Sequence, residues 1–165
     1  MHDTIPHLSL PEPRAVADLT MADGAVIRLR RHGNQAGPRI VLSHGNGLAI
    51  DAYLPFWSLL LPGYDDVLFD QRNHGQNPLH GAEGHHWDRI TRDNVEIFDG
   101  IARAFGAKPV IGAFHSLSAV AAAMATLRFG PRWTPLVLFD PPIFPREGHP
   151  LEVMEREHMR DMAAL

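Results

Sequence analysis

The sequence predicts an α/β fold in which a mostly parallel β-sheet is flanked by helices. Short apolar runs recur along the chain without alternating polar residues, which is typical of strands buried on both faces of a parallel sheet. Helical patterns separate these runs, and each run ends in polar or glycine-rich residues. Strands and helices that follow one another in this order favour parallel crossover connections.

The first part of the chain is predicted to contain an irregular lead-in and a hairpin. Residues 1–14 contain three prolines, so we expect no regular structure there. Two strands are predicted at Ala15–Met21 and Ala25–Arg31. Asp23-Gly24 lies between them and is a typical hairpin turn, because glycine adopts positive φ without steric cost.

The second strand of this hairpin has an alternating pattern. Arg28 and Arg30 alternate with Ile27 and Leu29. We therefore expect the arginine face of the strand to be exposed to solvent.

Four further runs are predicted to form the centre of the sheet. They are Ile40–Leu42, Val67–Phe69, Val110–Phe114 and Leu136–Phe139. The polar residues that follow them are, in order, His44-Gly45-Asn46-Gly47, Asp70-Gln71-Arg72-Asn73-His74-Gly75, His115-Ser116 and Asp140-Pro141. Ligands of open α/β sheets bind at the carboxyl ends of the strands, so we expect the functional site at this edge.

Helices are predicted between these strands at Asp93–Phe105 and Leu117–Phe129, with a shorter, aromatic-rich segment at Ala52–Leu61. The apolar face of the first consists of Val95, Phe98, Ile101, Ala102 and Phe105. That of the second consists of Leu117, Val120, Ala121, Met124 and Leu127. Glycines follow both helices, as expected for helix ends.

Residues 146–165 are predicted to begin a cap or lid helix after a proline-rich loop. Leu151, Met154, His158 and Met162 form its apolar stripe, which needs a surface to pack on. The stripe reaches Leu165 without a capping signal. We therefore expect a chain that is truncated after the sixth strand and the start of the cap, with a partial core domain at residues 15–145.

Composition excludes several classes of function. The 165 residues are 45% hydrophobic, which is enough for one globular domain with a real core. With 15 basic and 19 acidic residues the net charge is −4, and no basic run is long enough to bind nucleic acid. The chain has no cysteine, so disulfides, thiolate nucleophiles and cysteine-ligated metals are excluded.

We expect a cytoplasmic protein. Neither a secretory signal nor a run of about 18 apolar residues, the length of a membrane span, is present. His85-His86 and nearby His80 lack the spacing of a helical zinc motif, so we expect a surface loop and no metal site. The sequence also lacks a glycine-rich phosphate-binding motif, and we expect no cofactor.

Ser116 lies where a strand turns sharply into a helix. A serine at such a turn projects its Oγ from the edge of the sheet, and the Leu117 amide can donate to an oxyanion that forms there. The alternative is that Ser116 only caps the helix, as serine commonly does. The sequence alone supports both interpretations.

Two turns add to this pattern. In His44-Gly45-Asn46-Gly47 the Asn46 amide is available as a second oxyanion donor, although Asn-Gly is also common in ordinary loops. After the next strand, Asp70 and Arg72 are expected to pair and brace the loops.

With these three motifs in this order, the sequence resembles the α/β-hydrolase family over about residues 15–145. The resemblance implies that Ser116 is the nucleophile and that the Asn46 and Leu117 amides form the oxyanion hole. Asp140, after the sixth strand, is a possible triad acid, with a structural loop role as the alternative. We expect the substrate to contact the remaining site residues, His44, Gly45, Gly47 and His115.

The sequence departs from the family pattern at the elbow and beyond it. The usual G-x-S-x-G motif has Phe114 and Ser118 at its glycine positions. The family order is nucleophile, acid, then histidine after the last strand, and no such histidine follows Ser116 here. The triad is therefore incomplete in these residues.

Two functions are compatible with this pattern. The first is a serine-dependent hydrolase that cleaves a small, partly apolar carboxylic ester or related acyl substrate through an acyl-enzyme. Halide and epoxide hydrolases of the family use an aspartate at the elbow, so Ser116 argues against both. The second is a non-catalytic hydrolase-like binding protein or an inactive fragment.

Overall fold

The computed structural model describes residues 9–81 and 84–143, and six strands form one sheet in them. The strands are β1 (Ala15–Thr20), β2 (Val26–Gly33), β3 (Arg39–Ser43), β4 (Asp65–Phe69), β5 (Val110–His115) and β6 (Leu136–Phe139). Their order across the sheet is β1-β2-β4-β3-β5-β6. This confirms the predicted α/β fold.

Strand direction divides the sheet into two parts. β1 pairs antiparallel with β2, and β2 antiparallel with β4, so the predicted hairpin forms one side. β4, β3, β5 and β6 are mutually parallel. The carboxyl ends of these four strands therefore lie at one edge of the sheet.

Three helices and one 3₁₀ turn connect the parallel strands. A 3₁₀ turn at Ile50–Tyr53 leads into the short helix α1 (Leu54–Trp57), in place of the single predicted segment at Ala52–Leu61. Helix α2 spans Trp87–Phe105 and α3 spans Leu117–Phe129. The bounds of α3 are those predicted, whereas α2 begins six residues before its predicted start.

The early start of α2 has a physical reason. His86 caps the helix, with its side chain accepting a hydrogen bond from the Arg89 amide. The first two turns carry charged side chains, and Asp93 is buried in ion pairs with Arg72 and Arg89. Because these buried positions are polar, an apolar pattern does not reveal the first part of the helix.

The core has one cluster on each face of the sheet. The cluster on the side of α2 and α3 is built around Ile27, Val67, Phe69, Ile97 and Phe114. The cluster on the side of α1 consists of Ile40, Leu42, Ile50, Leu54, Trp57, Leu68 and Ala113. Strands β3, β4 and β5 are thus largely buried on both faces, as predicted. The prediction is wrong for β6, which lies at the end of the strand order in the described residues and exposes Val137 and Phe139.

Helix α3 buries a different face from the one predicted. Its buried residues are Ser118, Ala119, Ala121, Ala122 and Ala125. Leu127, which was predicted to be in the core, is 86% exposed. Small side chains allow α3 to lie close to its neighbours, so the larger apolar residues are on the outside.

The prediction that the arginine face of β2 is exposed to solvent is wrong at Arg30. The Arg30 side chain is buried, and its guanidinium lies 2.6 Å from the Asp51 carboxylate and 3.7 Å from that of Asp70. Arg28 remains accessible and pairs with Asp18 across the hairpin. The buried charge is tolerated because acidic partners approach it from two other segments.

Residues 9–14 precede β1 without regular structure, and residues 1–8 and the predicted cap helix at 146–165 lie outside the described residues. In the part of the chain that the structure describes, no helix has the length and apolarity needed to cross a membrane.

Candidate functional site

The predicted site residues meet at the carboxyl edge of the parallel strands. β3 lies beside β5, with Ser43 opposite Phe114, and β5 lies beside β6, with His115 opposite Phe139. The chain continues from β3 to one neighbour, β4, and only later forms the other, β5. A crevice opens at such a change of strand order, and it is the usual ligand position of this class of sheet.

Ser116 occupies the corner between β5 and α3 in a strained conformation. Its φ is 51° and its ψ is −116°, in a region that residues other than glycine rarely adopt. The backbone fixes this corner, because the Ser116 N–H donates to Phe139 O at 2.9 Å and the Val120 N–H donates to Ser116 O at 3.1 Å. The Ser116 side chain makes no capping hydrogen bond, so helix capping does not explain this serine.

Ser118 makes the hydrogen bonds that hold the corner. Its hydroxyl donates to His115 O at 2.9 Å and accepts from the His115 N–H at 3.1 Å, and the residue is fully buried. Ser118 is at the second glycine position of the family motif. The Ser118 hydroxyl therefore links the first turn of α3 to the end of β5 by hydrogen bonds. A glycine at this position could hold these two segments together only by close packing.

Phe114, at the first glycine position, points into the core. Its ring lies 5.1 Å from that of Trp133 and 6.2 Å from that of Phe69, and it is fully buried. Gly112 makes the space, because a Cβ there would lie 2.7 Å from Phe114 Cε2. The bulky residue is therefore accommodated while Ser116 keeps its strained corner.

The turn after β3 lies directly against the elbow. A Cβ on Gly45 would be 2.9 Å from His115 Nδ1 and 3.0 Å from Ser116 Cβ, so only glycine allows this approach. The next residue, Asn46, is exposed, and its amide makes no hydrogen bond to the described residues. The Leu117 amide is at the first position of α3, where helices have no internal acceptor.

His115 faces a residue that sequence reasoning missed. The Tyr53 hydroxyl lies 2.6 Å from His115 Nδ1 and accepts a hydrogen bond from the Gly45 N–H at 3.3 Å. Tyr53 thereby connects the turn after β3 with the elbow. It lies in the aromatic-rich segment after β3, which was the only sequence signal for it.

His44 and His74 hold the same turn from the other side. His44 is fully buried and its pKa is lowered, chiefly by burial. Its Nε2 accepts from the Gln71 N–H at 3.0 Å, while the Nε2 of half-buried His74 lies 3.2 Å from the Gly47 amide nitrogen.

The expected pairing of Asp70 with Arg72 is wrong. Asp70 is buried and accepts hydrogen bonds from the Ile50 amide at 2.7 Å and the Gln76 amide at 3.1 Å. Arg72 binds Asp93 and Asp23 instead. The two side chains are two residues apart and bind segments on different sides of the sheet, so each braces its own loop.

Asp140 follows β6 with a positive φ of 44° and is exposed. It is the neighbour of Phe139, whose carbonyl binds the Ser116 amide. Among residues 9–81 and 84–143 its carboxylate has no hydrogen-bond partner. The structure thus places Asp140 near the elbow but does not assign it a role.

A cavity of about 240 Å³ adjoins the elbow on the α1 side of the sheet. Its lining is Leu42, Ser43, Ile50, Tyr53, Phe56, Ala113, His115 and Phe139. Most of these side chains are apolar, and Tyr53 and His115 supply polar groups. The cavity is suited to an apolar group rather than to a charged one.

The described part of the chain contains no group of three His, Cys, Asp or Glu side chains that could hold a metal ion. His85 and His86 immediately precede α2, and the ring of His85 lies 5.4 Å from that of His74.

Comparison with known sequences finds one family. The profile described as "Serine aminopeptidase, S33" matches residues 34–163. This range includes all the predicted site residues. A search of curated protein sequences gives no match.

Solved structures of similar fold include several hydrolases. A hydrolase from Pseudomonas aeruginosa PA01 is 21% identical, with a TM-score of 0.64 over 74% of this chain and 44% of that one. The epoxide hydrolase VrEH1 from Vigna radiata is 18% identical, with a TM-score of 0.67 over 87% of this chain and 46% of that one. A putative lipase, lip1, from Acinetobacter baumannii AYE is 16% identical, with a TM-score of 0.71 over 88% of this chain and 48% of that one. The chain therefore spans just under half the length of these neighbours.

Proposed function

Because the chain belongs to the serine aminopeptidase S33 family of α/β-hydrolases, we propose that it carries the nucleophile of a serine hydrolase. The substrate is a small carboxylic ester or related acyl compound. The main support is the strained φ of 51° at Ser116, whose side chain does not cap the helix that follows it. Strain of this kind is maintained where it positions a reacting group.

In the proposed reaction, Ser116 Oγ attacks the acyl carbonyl carbon. The carbonyl oxygen becomes an oxyanion, to which the Asn46 and Leu117 amides donate. The alcohol then leaves with a proton, and water hydrolyses the acyl-enzyme in a second attack through the same oxyanion hole. Removing one such donor costs about 10²–10³ in rate in a well-studied case, so the position of these amides matters.

Ser116 needs a base, because an unassisted hydroxyl is a weak nucleophile. No described histidine is hydrogen-bonded to its hydroxyl. We place the base on a histidine after a further strand of the family fold, and the acid either at Asp140 or in that same region. His44, Gly45, Gly47 and His115 surround the acyl group.

The cavity beside His115 favours a partly apolar substrate, since most of its lining is apolar. The predicted cap helix at 146–165, with its apolar stripe, lies outside the described residues. Ser116 at the elbow favours an acyl substrate over an epoxide, although an epoxide hydrolase is among the fold neighbours.

The departures from the usual glycines of the elbow, Phe114 and Ser118, favour a second candidate, a hydrolase-like protein that binds a ligand without cleaving it. The two candidates differ in the reactivity of Ser116. Only an activated serine reacts rapidly with a fluorophosphonate, because the reaction requires a nucleophile and a formed oxyanion hole.

The test is fluorophosphonate labelling of the protein expressed from its complete coding region, followed by peptide mass analysis. We expect the label on Ser116 and its loss in Ser116→Ala. Ser58→Ala is the matched control, because Ser58 follows α1 and lies outside the turns after β3 and β5 that form the candidate site. Labelling that persists in Ser116→Ala would contradict the nucleophile assignment, and a folded protein that never labels would favour the binding function.

A further inference from the structure

His74 connects two loops of the candidate site through both of its ring nitrogens. Its Nδ1 lies 2.8 Å from Arg72 O, and a carbonyl oxygen can only accept, so Nδ1 carries the proton. Its Nε2 lies 3.2 Å from the Gly47 amide nitrogen, which can only donate. Both bonds form together only when the imidazole is neutral and protonated on Nδ1.

His44 makes the same kind of contacts with both ring nitrogens, at a more deeply buried position. Its Nδ1 lies 2.7 Å from Gly45 O, and its Nε2 accepts the Gln71 N–H at 3.0 Å. The rings of His44 and His74 are 5.2 Å apart. Two neutral imidazoles therefore connect the turn at residues 44–47 to the loop that follows β4.

We propose that His74 is a positioning residue for the oxyanion hole, whose neutral imidazole holds the Gly47 N–H and thereby fixes the adjacent Asn46 amide. This inference rests on the proposed function, because it assigns the Asn46 amide to an oxyanion. A proton on Nε2 replaces the acceptor with a donor. The Gly47 bond then breaks, and the turn keeps only its connection through His44 to the loop after β4.

Titratable and charged groups surround His74 on several sides. His44 and His85 flank it at 5.2 and 5.4 Å, and burial lowers the pKa of both. The Arg72 cation acts on His85, and the Asp70 and Asp51 carboxylates act on His44. His74 is half-buried and accessible to solvent protons, whereas His44 is not.

The first experiment follows the Gly47 amide by NMR in the full-length ¹⁵N-labelled protein over about pH 5 to 8, where histidine titrates. We expect the Gly47 amide shift to change with pH in this range, because a proton on His74 Nε2 removes the acceptor of the Gly47 N–H. In His74→Gln the side-chain carbonyl accepts the same N–H at every pH, so the shift becomes constant. A Gly47 amide that does not respond to pH, or that responds unchanged in His74→Gln, would overturn the proposal.

The second experiment measures kcat and KM for a short-chain nitrophenyl ester against pH. We expect His74→Phe, which has no acceptor, to lower kcat about tenfold in alkaline solution and by less in acid, where the wild type also loses the Gly47 bond, while KM changes less than about twofold, because the donor is needed mainly in the transition state. His74→Gln should retain kcat in alkaline solution and lose activity less steeply in acid than the wild type. His80→Gln, in the same loop, is the control with wild-type behaviour.

The outcomes separate the two proposals. Wild-type kcat in His74→Phe, or an unchanged acid limb in His74→Gln, would overturn the positioning role while Ser116→Ala still abolishes labelling. If Ser116→Ala labels normally, the proposed function is wrong. A Gly47 amide that titrates in that protein would then be a structural contact only, which also overturns the positioning role.

Discussion

Ser116 and Ser118 have different roles at the strand-to-helix corner. Ser116 is strained and makes no capping bond, whereas Ser118 is fully buried and bonded to both backbone groups of His115. The hydroxyl of Ser118 thus offsets part of the backbone strain that exposes Ser116.

Replacing Ser118 by alanine should leave the His115 N–H and C=O without this partner. A buried backbone group that loses its hydrogen bond costs about 1–3 kcal/mol, so we expect a loss of that order in the free energy of unfolding. Urea denaturation of Ser118→Ala against the wild type measures it. We also expect slower fluorophosphonate labelling of Ser116.

Ser58→Ala is the control for the general effect of removing a serine hydroxyl. A midpoint for Ser118→Ala that matches the control would show that the two hydrogen bonds contribute nothing to stability.

At this scale the sequence predicts some residues and not others. The strand-to-helix corner at Ser116 and the turn around Asn46 could be predicted because local motifs mark them. The contacts of Tyr53 and His74 could not, because their partners His115 and Gly47 are 62 and 27 residues away along the chain. Such contacts depend on strand order, which no single motif contains.

Among the elements, β4 carries two adjacent carboxylates with opposite surroundings. Asp65 binds Arg31 and Arg39, and these bonds lower its pKa against the effect of burial. Asp66 has no hydrogen-bond partner among the described residues, and burial, with a contribution from Asp65, raises its pKa to about 7. Opposite Asp66 in the β2–β4 ladder lies His32, whose pKa burial lowers to about 4.

These two groups should make stability depend on pH in opposite directions. Unfolded aspartate titrates near about pH 4, so between about pH 4 and 7 the folded state binds more protons at Asp66, and stability falls as pH rises. Unfolded histidine titrates near about pH 6.5, so between about pH 4 and 6.5 the unfolded state binds more protons at residue 32, and stability rises with pH. In the wild type the two slopes oppose each other.

Single substitutions should reveal how each group changes the free energy of unfolding with pH. Relative to the wild type, Asp66→Asn should gain on the order of 2 kcal/mol of unfolding free energy as pH rises from about 4 to 7. His32→Gln should gain relative to the wild type as pH falls from about 6.5 to 4. Urea denaturation across this range measures both, and differences that stay constant with pH would contradict the assignment.

The types of the elements and their order could be predicted from the sequence, but it was harder to predict which face of each element is buried. The apolar pattern of α3 suggested that Leu127 is inside, whereas the packing there leaves room only for alanines and Ser118. In β2, Arg30 follows an exposed pattern and is nevertheless buried by Asp51 and Asp70. Both errors arise because close packing and ion pairs from distant segments decide burial.

For the whole molecule, Arg72 connects three parts of the chain that are far apart in sequence. It lies after β4, is almost fully buried, and binds Asp93 of α2 at 2.5 Å and Asp23 of the hairpin turn at 2.9 Å. These bonds favour its charged form and raise its pKa above the usual value, against the effect of burial. The hairpin, α2 and the site loops are therefore joined through one guanidinium.

Replacing Arg72 by methionine removes the charge while keeping an apolar side chain of similar length. The buried Asp93 carboxylate then loses one of its two arginine partners and keeps Arg89, so the cost should lie below the about 3–5 kcal/mol of an unpaired buried charge. We expect urea denaturation to show a lower midpoint and a loss of about 1–3 kcal/mol in the free energy of unfolding. Arg92→Met is the matched control, because its pair with Asp88 on α2 is exposed and such pairs contribute about 0–1 kcal/mol.

Equal midpoints for Arg72→Met and Arg92→Met would show that the buried network does not hold these elements together.

The absence of a side chain at Gly112 makes room for the large ring of Phe114, and this has a consequence for engineering the protein. Phe69 and Trp133 surround the Phe114 ring in the core. The side chains that can be introduced at the corner therefore depend on these interior residues. Varying position 114 alone, for instance to restore the glycine usual in related hydrolases, would leave a void the size of a benzene ring. Mutant libraries aimed at this edge should therefore vary positions 69, 112, 114 and 133 as one set.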